Sequence, residues 1–252
     1  MSESKAQGFD VRQFAASFDS AATRAGFQQE AIGAAEDMPI VAYTKLTSKT
    51  RPRIYLSAGM HGDEPVPPIA LLRMVEDGVF DNRAAWILCP MLNPSGLARG
   101  TRENSSGIDL NRDYLNPTTS EIRAHVAWLC RQQNFDLAIN IHEDWEAKGF
   151  YLYELNPDRL PSLAEIMIGA VRQVCPIDPS PLIDGREAKG GIIRPEVDPV
   201  KEMKAWPETV YLGANNTRLA YTIESPSSLS PKEREAALRA ALTAAIAAIA
   251  SR

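Results

Sequence analysis

Histidine and cysteine are scarce in this chain, with three of each among 252 residues. Cys89, Cys130 and Cys175 sit inside apolar runs and lack the short pairwise spacing of a structural metal site. An odd, sparse set excludes a disulfide framework and suits buried thiols in a reducing compartment. Clusters of Lys and Arg are missing as well, and the formal net charge is -5, which argues against nucleic acid and anionic membrane as partners. No apolar run approaches the ~20 residues that cross a bilayer. Residues 1–10 are polar and hold no hydrophobic stretch of a secretory leader, so a cytoplasmic location is expected. Oligomeric state leaves no mark on the sequence.

Internal repeats and low-complexity linkers are absent too. The 44% hydrophobic content, at this length, suffices for one large α/β domain and is marginal for two, so a single domain over residues 1–252 is expected. Phe9, Val11, Phe14, Phe18 and Ala22 form a loose stripe that predicts helix over 9–34, as an N-terminal helical extension spanning about residues 1–35. Short apolar runs predict strands at 40–46, 54–58, 84–89, 135–141, 150–154 and 219–223. Helices are predicted at 67–75, from Thr119 or Ser120 to 132, at 161–174, and from Pro231 to the end behind a Ser230 cap. Between them, 93–117 reads as a long loop of a length that is uncommon unless functional, and 178–206 reads as irregular. Strands alternating with helices predict a mixed, mostly parallel central sheet covered by helices on both faces. Ligands bind beyond the carboxyl ends of the strands in such sheets.

Chemistry-bearing residues collect at those ends. His61-Gly62-Asp63-Glu64 follows the strand at 54–58, His142 follows 135–141, and Glu224 follows 219–223. Imidazole and carboxylate both suit zinc, and three protein ligands leave the fourth position that a catalytic site keeps for water. His61, Glu64 and His142 are therefore the candidate ligands of one Zn2+ ion. A carboxylate beside the ligands must take a proton from water and return it to the leaving amine; Glu224 is the candidate. The third histidine, His125, has polar neighbours in a predicted helix and reads as a surface or half-buried side chain. In the 93–117 loop, Arg99, Arg102, Asn111 and Arg112 offer groups that grip a substrate carboxylate or steady an oxyanion, and at least one of them is expected to be structural.

Taken in order, His61-Gly62-Asp63-Glu64, Asn93-Pro94-Ser95-Gly96, Gly107-Ile108-Asp109-Leu110-Asn111-Arg112, His142 and Thr222-Ile223-Glu224 resemble the zinc carboxypeptidase family. Within the family the chain looks more like the small bacterial branch, of murein peptide amidase type, than the digestive enzymes, through the run Arg99-Gly100-Thr101-Arg102. The resemblance implies an α/β sandwich about an eight-stranded mixed sheet. It implies zinc on His61, Glu64 and His142, and Glu224 as general base and acid. Asp109 falls where the family supports the first histidine, Asn111 and Arg112 where it binds the substrate carboxylate, and Arg99 where it stabilises the oxyanion, with Arg102 a competitor. Tyr211 is the candidate for the family's substrate-contacting tyrosine. His142 is followed by Glu143-Asp144-Trp145-Glu146, a bulky acidic rim in which Asp144 would favour substrates carrying an ammonium group.

The implied activity is that of a metallopeptidase: zinc-dependent hydrolysis of an amide or peptide bond next to a free carboxylate, on a small peptide. Two alternatives stand beside it. The related succinylglutamate desuccinylase/aspartoacylase group shares the metal set and deacylates small N-acyl amino acids, although its members usually carry a further C-terminal β domain. A non-catalytic, zinc-stabilised binding domain is the third.

Overall fold

A computed structural model describes residues 9–48, 50–195 and 199–252. Residues 1–8 of the expected N-terminal extension lie outside the described residues.

Helix α1, Val11–Arg24, starts where the Asp10 carboxylate accepts the Gln13 N–H at 2.9 Å, and buries Val11, Phe14, Phe18, Ala21 and Ala22. It does not continue to residue 34. Gly26 takes φ +84°, and Gln28–Ala35 (β1) runs antiparallel to Met38–Lys45 (β2). The Ala, Gly and Gln content of β1 lacks the β-branched signature of a strand. Its conformation comes from pairing with β2, not from propensity.

The chain then follows the expected alternation: β3 (Arg53–Ser57), α2 (Val66–Glu76) and β4 (Ala85–Cys89). Prolines 67 and 68 fall in the first turn of α2, where no intrahelical N–H is needed. The expected loop at 93–117 contains a short helix, α3 (Pro94–Arg99), capped by Asn93 and closed by Gly100, and a single 3-10 turn at Leu110–Arg112. Next come α4 (Ser120–Leu129, capped by Thr119), β5 (Leu137–Asp144), β6 (Tyr151–Leu155) and α5 (Ala164–Val171). The stretch expected to be irregular holds three short strands, β7 (Leu182–Ile183), β8 (Arg186–Lys189) and β9 (Ile192–Ile193), and one turn of helix, α6 (Pro199–Glu202). Helix α7 (Glu208–Asn215), strand β10 (Ala220–Pro226) and α8 (Pro231–Ala250) complete the order. α8 opens with the expected Ser230 cap, reinforced by Glu233 in a reciprocal capping box.

Among the described residues the strands make one ten-stranded sheet, ordered β1-β2-β4-β3-β5-β10-β6-β9-β8-β7. Its centre, β4-β3-β5-β10, is parallel, and most of the flanking pairs are antiparallel. The mixed sheet thus has two strands more than the resemblance implies, all the excess being short or marginal. Helices α1, α2, α5 and α8 pack on one face; α4 and α7 pack on the other. Among the described residues no helix is long and apolar enough to cross a membrane. All three cysteines are unpaired; Cys89 and Cys175 are buried as expected, whereas Cys130, at the end of α4, is exposed.

The register of the parallel centre positions the site. Tyr55, Ala138 and Ala220 lie side by side on the α7 face, and Ser57, Asn140 and Thr222 form the next row. His142 and Glu224 form the row after that, at the carboxyl ends. Each row lies roughly 7 Å from the last. One face therefore grades from apolar, to polar, to ionisable along the strands.

Candidate metal centre

Beyond β3 the chain makes a tight turn that presents His61 and Glu64. Gly59 sits at φ +65°, and the Ala58 N–H still bonds Cys89 of the neighbouring strand at 2.9 Å. The turn then docks on α3: the Gly62 N–H donates to Thr101 at 2.9 Å, and a Cβ on Gly62 would lie 1.9 Å from the backbone of Gly96. No side chain fits at either glycine, so both the His-Gly-Asp-Glu and Asn-Pro-Ser-Gly runs need theirs.

His61, Glu64 and His142 converge, with one donor atom from each lying within 4.8 Å of the others. All three are almost wholly buried. The Glu64 carboxylate lies between the imidazoles: one oxygen meets His61 Nδ1 and the other meets His142 Nδ1 at 2.9 Å. The Glu143 N–H donates to the same carboxylate at 3.1 Å. Burial alone raises a carboxyl's pKa, but here the two imidazoles hold Glu64 below its ordinary range. Burial lowers His61, and the Glu64 charge reverses that to bring it to about 9. Two nitrogens and a carboxylate oxygen, buried and mutually within reach of one ion, fit a divalent metal of zinc type.

The outer nitrogen of His61, Nε2, has no well-aligned hydrogen bond, and Asp109 Oδ1 stands 3.3 Å from it. Asp109 also accepts from Arg102 Nε at 3.0 Å. Burial pushes the Asp109 carboxyl up, yet His61 and Arg102 hold it well below the usual carboxylate range. A charged acceptor on the far side of a ligand imidazole fixes its tautomer and orientation.

His61 and Glu64 line a cavity of about 700 Å³ together with Arg102, Asn111, Arg112, Asp144 and Glu224. Glu224 stands beside His142 on one side and Tyr151 on the other. Burial raises its carboxyl well above the ordinary value, with Glu64 and Asp144 adding to the shift and His142 opposing it. Asn111 accepts the Glu208 N–H on Oδ1 at 2.9 Å, which leaves its amide NH2 as the group free to meet a ligand. Asp144 lines the cavity and accepts from Tyr151 Oη at 2.9 Å.

Several expected residues lie elsewhere. Arg99 is not on the cavity wall; it is 45% exposed and pairs with Glu36 at 2.6 Å. Its run turns away because Gly100 ends α3, and Arg102, three residues on, is the one brought to the site. Tyr211 also faces away, packed against Tyr114 with its hydroxyl 3.5 Å from Cys130 Sγ. Tyr151 and Tyr153 line the cavity instead. His125 is neither exposed nor half-buried: it is completely enclosed, with Tyr114 and Tyr55 hydroxyls at 2.7 and 3.0 Å, and burial lowers its pKa to about 3. Arg123 faces solvent, whereas Glu121, one turn before His125, is buried and accepts from Asn104 at 3.0 Å. Within the acidic rim, Glu143 turns inward to pair with Arg234 of α8 at 2.7 Å, whereas Trp145 remains 75% exposed at the cavity. Alternation along β5 turns Glu143 to the face opposite His142, and Trp145 lies just beyond the strand's end at Asp144.

Comparison with known proteins sets this geometry in context. The sequence profile of the succinylglutamate desuccinylase/aspartoacylase catalytic domain matches residues 50–159. A protein provisionally named a metallopeptidase, from Shewanella amazonensis SB2B, superposes with a TM-score of 0.85 at 23% identity, covering 97% of this chain and 95% of its own. A metallo-carboxypeptidase from Burkholderia cenocepacia gives 0.69 at 20% identity, covering 97% and 70%. The fold is that of the metallocarboxypeptidases. Carboxypeptidase D of Anas platyrhynchos is 30% identical over 154 residues, 44% of this chain. The match spans only 11% of that protein, so this metallocarboxypeptidase-like chain corresponds to a small part of it. The resemblance read from the ordered motifs stands on these findings.

Proposed function

We propose that the chain is a zinc-dependent hydrolase that cleaves an amide bond next to a free carboxylate. The convergence of His61, Glu64 and His142 beside Glu224, with His61, Glu64 and Glu224 on the wall of one cavity, carries this reading. A zinc ion held by those ligands supplies Lewis acidity toward a carbonyl and makes water more acidic. Glu224, raised by burial, is suited to take a proton and hand it back to the departing amine. Arg102 stands nearest the ligands of the loop arginines and is the choice for steadying the oxyanion. The free amide of Asn111 and the guanidinium of Arg112 offer donors for the substrate's carboxylate.

Asp63, Asp144, Glu146, Glu154, Asp178 and Asp184 line the same cavity, outnumbering Arg102, Arg112, Lys148 and Arg186. This balance supports substrates that carry an ammonium group besides the carboxylate. A second reading, deacylation of small N-acyl amino acids, draws support from the profile match over 50–159.

A panel of C-terminal peptides, γ-glutamyl peptides and N-acyl amino acids, each in cationic and neutral versions, tests both. Hydrolysis of a peptide member, lost on chelation and restored by zinc, is the expected result. Hydrolysis confined to N-acyl amino acids selects the second reading. Stoichiometric zinc with no turnover on any member rejects both in favour of a binding domain.

A further inference from the structure

Behind the ligand row lies a sealed polar device that the chemistry above does not use. Glu208, at the start of α7, is 1% exposed. One of its oxygens accepts from Tyr55 Oη at 2.6 Å and the other from Ser57 Oγ at 2.8 Å. Each donor is itself fed. Ser57 Oγ accepts from Asn140 Nδ2 at 2.7 Å, and Asn140 Oδ1 accepts from Thr209 Oγ1 at 2.5 Å, whose hydroxyl in turn meets Thr222. On the other arm, Tyr55 donates to Glu208 and so accepts from His125 Nε2 at 3.0 Å. The other nitrogen of His125 accepts from Tyr114 Oη at 2.7 Å. Two chains of donors thus run inward and end on one carboxylate. In this arrangement both oxygens of Glu208 act as acceptors.

The chain through Ser57, Asn140 and Thr222 is the row immediately behind His142 and Glu224, and it crosses all three strands that deliver the site. The backbone of Glu208 also holds Asn111.

We propose that Glu208 is a positioning residue: by terminating both donor chains it fixes the polar row that sets His142, Glu224 and Asn111 relative to one another. The proposal rests on the metal-centre reading above. Glu208→Gln keeps the shape but places an NH2 against a donor. The row relieves the conflict by reversing its hydrogen bonds, and the reversal reaches the strand positions that carry His142 and Glu224.

The chain's three histidines make the test direct, because His125 lies in the device and His61 and His142 lie in the site. Nitrogen-resolved NMR of the imidazoles, at fixed pH in metal-free protein, reads both without requiring zinc or turnover. Glu208→Gln is expected to shift His125 and His142 together. In the zinc-loaded enzyme kcat is expected to fall about tenfold, with KM within about twofold. Ser57→Ala, a milder change, is expected to shift His142 and leave His125. A folded Glu208→Gln protein that moves His125 alone overturns the proposal, as does unchanged kcat. If Glu208→Gln fails to fold, an unmoved His142 in Ser57→Ala overturns it equally. Shifts as expected in a protein that cleaves no panel substrate uphold the positioning role and reject only the hydrolase reading.

Discussion

Glu208 and Glu224 are both carboxylates drawn out of water by the same sheet face, yet their surroundings are opposite. Glu208 has each oxygen occupied by a hydroxyl and is closed off from solvent. Among the described residues no side chain hydrogen-bonds Glu224, and it lines the cavity. Burial raises both, Glu208 to about 7 and Glu224 well above the carboxylate range. A buried polar group with its partners in place specifies structure; one without partners, aimed at a cavity, is available for chemistry.

The comparison breaks most sharply at Glu224. Glu224→Gln should retain zinc and lose about 10²–10⁴-fold in kcat, measured on zinc-quantified protein. An active, fully loaded variant would take Glu224 out of the chemistry.

Gly62→Ala separates assembly from reaction. Its new methyl meets the Gly96 backbone, and overpacking of this kind costs roughly 1–3 kcal/mol or more, readable as a lower urea midpoint. An unchanged midpoint would mean that the turn and α3 yield easily.

The third effect concerns pH. Glu208 has a folded pKa raised by burial to about 7 from 4.5, so the folded state binds its proton more tightly than the unfolded state. Its contribution to stability is full below the unfolded value and is lost as pH rises through about 7. Wild type should therefore lose up to about 3 kcal/mol relative to Glu208→Gln between pH 4.5 and 8, by urea titration. Parallel curves for the two proteins would show that the hydroxyl donors offset burial fully.

How much of this was readable in the residues follows the same division. His61, His142 and Glu224 were visible because each follows an apolar run that fixes where the side chain goes, and Glu64 through its spacing three residues after His61. Arg99 and Arg102 were not separable, since the turn at Gly100 decides between them and sequence spacing does not. β1 and the short strands β7 to β9 lack any alternating signature and exist through pairing. His125 misled because the charged residues Glu121 and Arg123 make its helix read as surface, whereas Glu121 is itself buried and the imidazole meets two tyrosines inside. The Glu208 device did leave a trace: Asn140 and Thr222 are polar residues inside buried strands, each two positions before an ionisable one. A single polar residue in a strand says little, but the same offset in two neighbouring strands implies a shared row.

One pairing reaches beyond the folded molecule. Glu143, next to His142 in the chain, has its carboxylate neutralised by Arg234 of α8. Until α8 packs against the sheet, that carboxylate has no cation beside it. Assembly of the ligand row therefore draws on α8 as well as on the strands, because α8 supplies the charge that balances the carboxylate next to His142.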